Sequence, residues 1–188
     1  RILPTIRRET SEEERGKMAH EISTVTGKAE VFVTGAPAWH GLGTVVQEAP
    51  DARGALRIAH LDWEVGQRSV HLQDGTAVDG YRANFRKDTG TVLGIVRTGY
   101  RPFQNVEAFS FADGLLQGGA KFESAGAIRS GRRVWLLARL QGDILVGDGD
   151  AIQKYLLIAN SHDGTMRLKA RITPIRVVCS NTLHAALR

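Results

Sequence analysis

His162, Asp163 and Gly164 stand together at what their neighbours mark as a loop tip, where an imidazole and a carboxylate often carry acid–base chemistry. The same residues also spell a tight turn, in which Asp163 bonds to nearby backbone and Gly164 takes a positive φ. The turn is the stronger reading, and His162 is the exposed histidine best suited to a further role. Cys179 and His184 offer a thiol and an imidazole five positions apart. Thiol chemistry needs the ring within hydrogen-bond reach of sulfur and a third group to orient it. Cys179 closes an apolar strand, which favours a buried structural cysteine. Asp143, Asp148 and Asp150 gather where a hard cation could sit, but they lack calcium-loop spacing, and a solvated turn with Asp150 capping a helix fits better. His20, His40, His60 and His71 occur singly, and neither CxxC nor HExxH is present. Gly41 and Gly43 fall short of a dinucleotide-binding pattern and read as a loop whose Trp39 plugs the core. No catalytic residue, metal or cofactor is assigned.

Charge is the more informative signal. Thr165 to Arg188 carries five basic residues (Arg167, Lys169, Arg171, Arg176, Arg188) and no acid. Ala125 to Gln141 carries four arginines (Arg129, Arg132, Arg133, Arg139), again without an acid. Tyr81 to Arg101 sets five bases against Asp88 alone. Residues 40 to 79, in contrast, hold six acids and three bases. Neighbouring hairpins would merge these bases into a positive strip that attracts phosphate through its summed field. Tyr81, Phe85, Tyr100 and Phe103 lie among the bases and can stack on unpaired bases, although Phe85 and Phe103 also suit a core.

The elements that must position these groups are short strands and tight turns. The chain has 188 residues, a formal charge of +5, 42% hydrophobic residues and one cysteine. These values fit a folded α+β protein without a disulfide framework. No segment approaches the roughly 18 apolar residues that span a bilayer, so a cytoplasmic setting without membrane contact is expected. Asp74-Gly75, Lys87 to Gly90, Arg129 to Arg132 and His162 to Gly164 are each flanked by strand-like runs. Four such hairpins predict a twisted antiparallel sheet with helices packed on one face. Asp51 and Asn105 are placed to cap two helices, and Ser180 or Asn181 a third. Val134, Leu136, Ala138 and Leu140 share one face of a strand; Trp135, Leu137 and Arg139 share the other. Residues 1–17, with nine charged positions, read as a mobile or partner-docking N-terminal extension to a single domain over 18–188. The last helix has no terminating residue, so the chain is expected to continue past Arg188.

Several ordered strings carry a family resemblance. They include Trp39-His40-Gly41-Leu42-Gly43, Leu61-Asp62-Trp63-Glu64-Val65, Arg86-Lys87-Asp88-Thr89-Gly90 and Tyr100-Arg101-Pro102-Phe103-Gln104-Asn105. Further on come Gly131-Arg132-Arg133-Val134-Trp135, Asn160-Ser161-His162-Asp163-Gly164 and Thr173-Pro174-Ile175-Arg176-Val177-Val178-Cys179-Ser180-Asn181. From Trp39 onward the chain resembles the phage/plasmid-like family built around domain of unknown function 932. The resemblance implies a mobile-element setting in DNA replication, recombination or host defence, and supplies no catalytic mechanism. The hairpin-then-helix order is also similar, at fold level, to Rad52-like single-strand annealing proteins. That likeness implies a groove for single-stranded DNA, self-association, and no need for a metal or nucleotide. Arg97, Arg101, Arg129, Arg132 and Arg133 would contact phosphates, joined by Lys169 and Arg171, with Tyr100 or Phe103 supporting a base. Two other readings stand beside it: a protein-interaction or regulatory module docking through residues 1–17, and a metal-assisted nuclease or hydrolase using His162 and Asp163 with Asp148 or Asp150.

Overall fold

A computed structural model describes residues 21–115, 121–147 and 150–188; the expected extension over 1–17 and Asp148 lie outside the described residues. The strands are β1 (Val31–Thr34), β2 (Thr44–Val46), β3 (Val65–His71), β4 (Ala77–Arg86), β5 (Val92–Arg97), β6 (Lys121–Ile128), β7 (Arg133–Arg139), β8 (Ile144–Val146), β9 (Asp150–Ile152), β10 (Tyr155–Ser161) and β11 (Lys169–Thr173). The helices are α1 (Ala52–Ile58), α2 (Asn105–Leu115) and α3 (Ser180–Ala186). A six-stranded sheet has the order β11-β10-β7-β6-β1-β2, a second sheet is the meander β3-β4-β5, and β8-β9 is a separate hairpin. The fold is α+β, and its hairpins are antiparallel; β1 and β2 form a parallel pair.

Local chemistry explains the hairpins. At Asp74-Gly75, the Asp74 carboxylate accepts from the Thr76 amide at 2.9 Å, and Gly75 takes φ +86°, which costs a glycine little. All four turn signals lie between paired strands. Asp51 caps α1, accepting from the Gly54 amide at 2.6 Å, a bond worth about 1 kcal/mol. Asn105 departs from expectation: it is the first helical residue of α2 and turns its side chain into the core, while the Gln104 amide donates to Glu107 at 2.7 Å. Cys179, rather than Ser180 or Asn181, precedes α3, and its amide donates to the Thr182 hydroxyl at 3.0 Å. Asp150 lies in β9 and caps no helix.

Alternation along β7 builds two cores. Val134, Leu136 and Ala138 join Phe32, Phe122 and Ile158 beneath α1 and α2. Trp135 and Leu137 join Val31, Val33, Leu157 and the α3 residues Leu183 and Ala186. As expected, Trp39 plugs the interior; it packs on Trp135 with ring centroids 4.6 Å apart. The six-stranded sheet is thus covered on both sides, and its last hairpin turns the chain into the loop Ser161–Met166.

Candidate nucleic-acid interface

His162 does not occupy an exposed loop tip. Its side chain is fully buried, held 2.9 Å from Asn105 Oδ1 through Nε2 and edge-on to Trp63. Asn105 Nδ2 donates to the Leu61 carbonyl at 2.9 Å, so its Oδ1 is an acceptor and His162 Nε2 must carry the proton. Burial, the largest cause, depresses the His162 pKa to about 4; Asp163 opposes and the Arg86 cation reinforces the shift. The neighbouring backbone is strapped from several directions. Asn84 Nδ2 donates to the His162 carbonyl at 2.7 Å, Tyr100 Oη to the Ser161 carbonyl at 2.8 Å, and the His162 amide to the Arg132 carbonyl at 2.8 Å. The Asp163-Gly164 turn itself forms as expected: Asp163 accepts from the Thr165 amide and hydroxyl, and Gly164 has φ +77°. This histidine is therefore a neutral clamp that fixes the loop.

A buried ion pair continues the junction. Arg86 Nη1 donates to Glu30 Oε2 at 2.8 Å, with both side chains fully buried, and Arg86 also pairs with Asp88. The guanidinium lies 4.2 Å from the Trp63 ring centroid. Gly131 has φ +90°, which favours glycine, and a Cβ there would lie tightly, 3.0 Å from the Trp63 ring. Burial raises the Glu30 pKa while Arg86 holds it down.

Two clefts open on either side of the fixed loop. Pairing of Tyr81 with Arg97, Ala83 with Ile95 and Arg68 with Ala83 puts Arg68, Tyr81, Phe85, Ile95 and Arg97 on one face of the meander. Tyr81 is 41% exposed and Ile95 51%. Gly66 lets the Phe85 ring lie across β3, where Arg68 stacks on it at 3.7 Å. Tyr81, Ile95, Arg97, Tyr100, Asp163 and Gly164 are among the residues that line a cleft of about 340 Å³. Burial pushes the Asp163 carboxyl up, but the bonds from Thr165 and Ser161 together with the Arg133 charge leave its pKa below the usual value. Burial and the Asp163 charge raise the Tyr100 phenol.

The second cleft, of about 370 Å³, is lined by Arg133, Thr165, Met166, Lys169, His184 and Arg188 among others. Pairing of Arg133 with Ser161, Lys169 with Ala159 and Arg171 with Leu157 sets Arg133, Lys169 and Arg171 on one sheet face. The expected contact residues thus fall into groups. Arg97 and Tyr100 share the first cleft, and Arg133 and Lys169 the second. Arg171 lies farther along β11, and Arg132 is exposed in the β6–β7 turn. Arg129 donates twice to Glu21, Arg101 lies 3.6 Å from Glu107, and Phe103 packs against the core.

Sequence reasoning missed Arg68 and His184 as lining or stacking groups. Alternation placed Arg68 on the Phe85 face only once the β3–β4 register was known; His184 needed the α3 docking. Cys179 is half-buried, and the Thr182 bonds outweigh the upward push of burial to lower its pKa. No hydrogen bond joins it to His184 among the described residues. Also among the described residues, no three His, Cys, Asp or Glu side chains converge as a metal site, and no helix is long and apolar enough to cross a membrane.

Fold and site together define an α+β protein whose polar interior is sealed and whose aromatic and cationic groups line two open clefts. The sequence model for domain of unknown function 932 (DUF932) matches residues 92–188, just over half the chain, and the chain belongs to that family. The match runs from β5 through α3 and takes in the loop at His162. No curated protein and no solved structure matches the chain.

Proposed function

We propose that the chain binds single-stranded nucleic acid, DNA first, across the outer face of the β3–β5 meander. The observation that carries this reading is the shared cleft of Tyr81, Ile95, Arg97 and Tyr100, continued by the Arg68–Phe85 stack. Aromatic faces accept any base by stacking, and arginines beside them screen the phosphates. Asp163 in the lining disfavours phosphate there but can accept from the amino groups of a base, so the cleft suits a base with its phosphates toward Arg97. Holding strands extended would serve annealing without a general base, metal or nucleotide. From the resemblance to phage/plasmid-like proteins we further propose that this activity serves the DNA metabolism of a mobile element within the cytoplasm.

Fluorescence anisotropy of the purified chain with labelled single-stranded and duplex DNA, titrated with salt, tests the reading. Single strands should bind more tightly, with affinity falling as salt rises. Tyr81→Ala should weaken binding by about tenfold, the loss of one stacked base, and Arg97→Gln should flatten the salt dependence. A folded protein that binds neither DNA at low salt, or variants that bind like the parent, would refute it.

A further inference from the structure

We propose that the second cleft, between α3 and the β10–β11 hairpin, is a site for a phosphate monoester: the terminal phosphate of a bound strand. This rests on the strand-binding reading for its ligand and on separate residues for its chemistry. Arg133 reaches the cleft from the start of β7, Lys169 from the start of β11, and His184 and Arg188 from α3 and the residues after it. No acidic side chain is among the lining residues. The nearest carboxylate identified beside it, Asp163, is within reach of the Arg133 charge, but its Oδ1 is taken by the Thr165 amide and hydroxyl and it lines the other cleft.

Geometry distinguishes this place from a scatter of surface charge. Arg133 and Lys169 project from the same sheet face, one strand apart across β10, because Ser161 pairs with Arg133 and Ala159 with Lys169. Arg133 lines the cleft with no ion-pair or side-chain hydrogen-bond partner among the described residues, although its Nε is itself shielded from solvent. Lys169 Nζ donates to the Leu187 carbonyl at 3.3 Å, which ties the ammonium to the α3 wall and leaves it further donors. Two guanidinium groups, an ammonium and an imidazole facing one small space match a compact dianion better than a diester, which carries a single charge. The floor is fixed by the His162 clamp beneath the Ser161–Met166 loop, so the cations need little rearrangement to meet a ligand.

The test compares one labelled oligonucleotide bearing either a 5′-phosphate or a 5′-hydroxyl, and inorganic phosphate alone followed by amide NMR. The 5′-phosphorylated strand should bind about tenfold more tightly, the scale of one charge-assisted contact. Lys169→Gln and, separately, Arg133→Gln should erase that advantage, so that the two strands bind each variant equally and the phosphorylated strand loses more affinity than the 5′-hydroxyl strand. Inorganic phosphate should shift amides of β11, α3 and the Ser161–Met166 loop. Equal affinity for the two strands would overturn the inference and leave strand binding standing. Should neither strand bind, the strand-binding reading falls, and the phosphate titration decides: shifts confined to this cleft support the site, and their absence overturns it. A variant that loses both strands equally would also overturn it, because the cleft would then act as general backbone contact.

Discussion

Replacing Arg86 with methionine should destabilise the protein by about 3–5 kcal/mol near pH 7.5, the cost of stranding one member of a buried ion pair. The magnitude follows from the surroundings. Arg86 and Glu30 are both fully buried, and Arg86 Nη1 lies 2.8 Å from Oε2 and 2.7 Å from Oε1. Asp88 can rehydrate when Arg86 is gone because its side chain is 35% exposed; Glu30 cannot. For a chain of this size the loss corresponds to a fall in Tm on the order of 10 °C. The pH dependence has a definite sign. Burial already raises Glu30 above its ordinary 4.5, and Arg86 is the opposing charge, so its removal raises Glu30 further. The native variant then keeps a proton that the unfolded chain releases above about 4.5. Its deficit relative to the parent should be greatest above the native pKa and shrink as pH falls toward 4.5. Urea unfolding of parent, Arg86→Met, Glu30→Gln and the double variant at pH 7.5 and pH 5 measures this directly. Glu30→Gln should cost less than Arg86→Met, because Asp88 still neutralises the guanidinium, and the double variant should recover part of the Arg86→Met loss. A deficit under 1 kcal/mol, or one that does not change with pH, would refute the argument.

His162, neutral when folded with a pKa of about 4 against an ordinary 6.5, should withdraw stability on the order of 3 kcal/mol as pH falls between those values; urea midpoints across pH 7 to 4 measure the slope, which His162→Gln should flatten. NMR of the imidazole nitrogens should show the proton on Nε2. Asn105→Ala removes the His162 partner and the donor to Leu61, and should cost about 2 kcal/mol by chemical denaturation. Gly126→Ala drives a methyl into the Trp135 ring and toward the Glu30 carbonyl, and should cost about 1–3 kcal/mol, read as a lowered Tm.

The hairpins were legible because their information is local: Asp74-Gly75 and Asp163-Gly164 carry their own turn bonds and left-handed glycines. The β1–β2 pair was not legible. Val31–Thr34 pairs with strands on both sides, one of them β6 some ninety residues later, and no turn residue announces either pairing. A separation of 56 residues likewise hid the Glu30–Arg86 contact, so Arg86 read as one more surface base. His162 was misjudged because a His-Asp-Gly string has turn composition whether or not the first residue is drawn inward; the inward pull comes from Asn105 and Trp63, on other elements. Tyr100 and Arg97 were legible as a neighbouring pair since a single short turn separates them.

The place of β1 within the six-stranded sheet also has a consequence for synthesis. The β3–β5 meander contains all of its own strand partners and can form as soon as Arg97 has left the ribosome, whereas β1 must wait, with only β2 available to pair, until β6 is made. For that interval the nascent chain holds an apolar strand without its principal neighbour, a state open to chaperones and to misassociation with other chains. Slowing translation between the β5 and β6 codons should therefore lower the soluble yield far more than slowing it after β7, when the hairpin that receives β1 is complete.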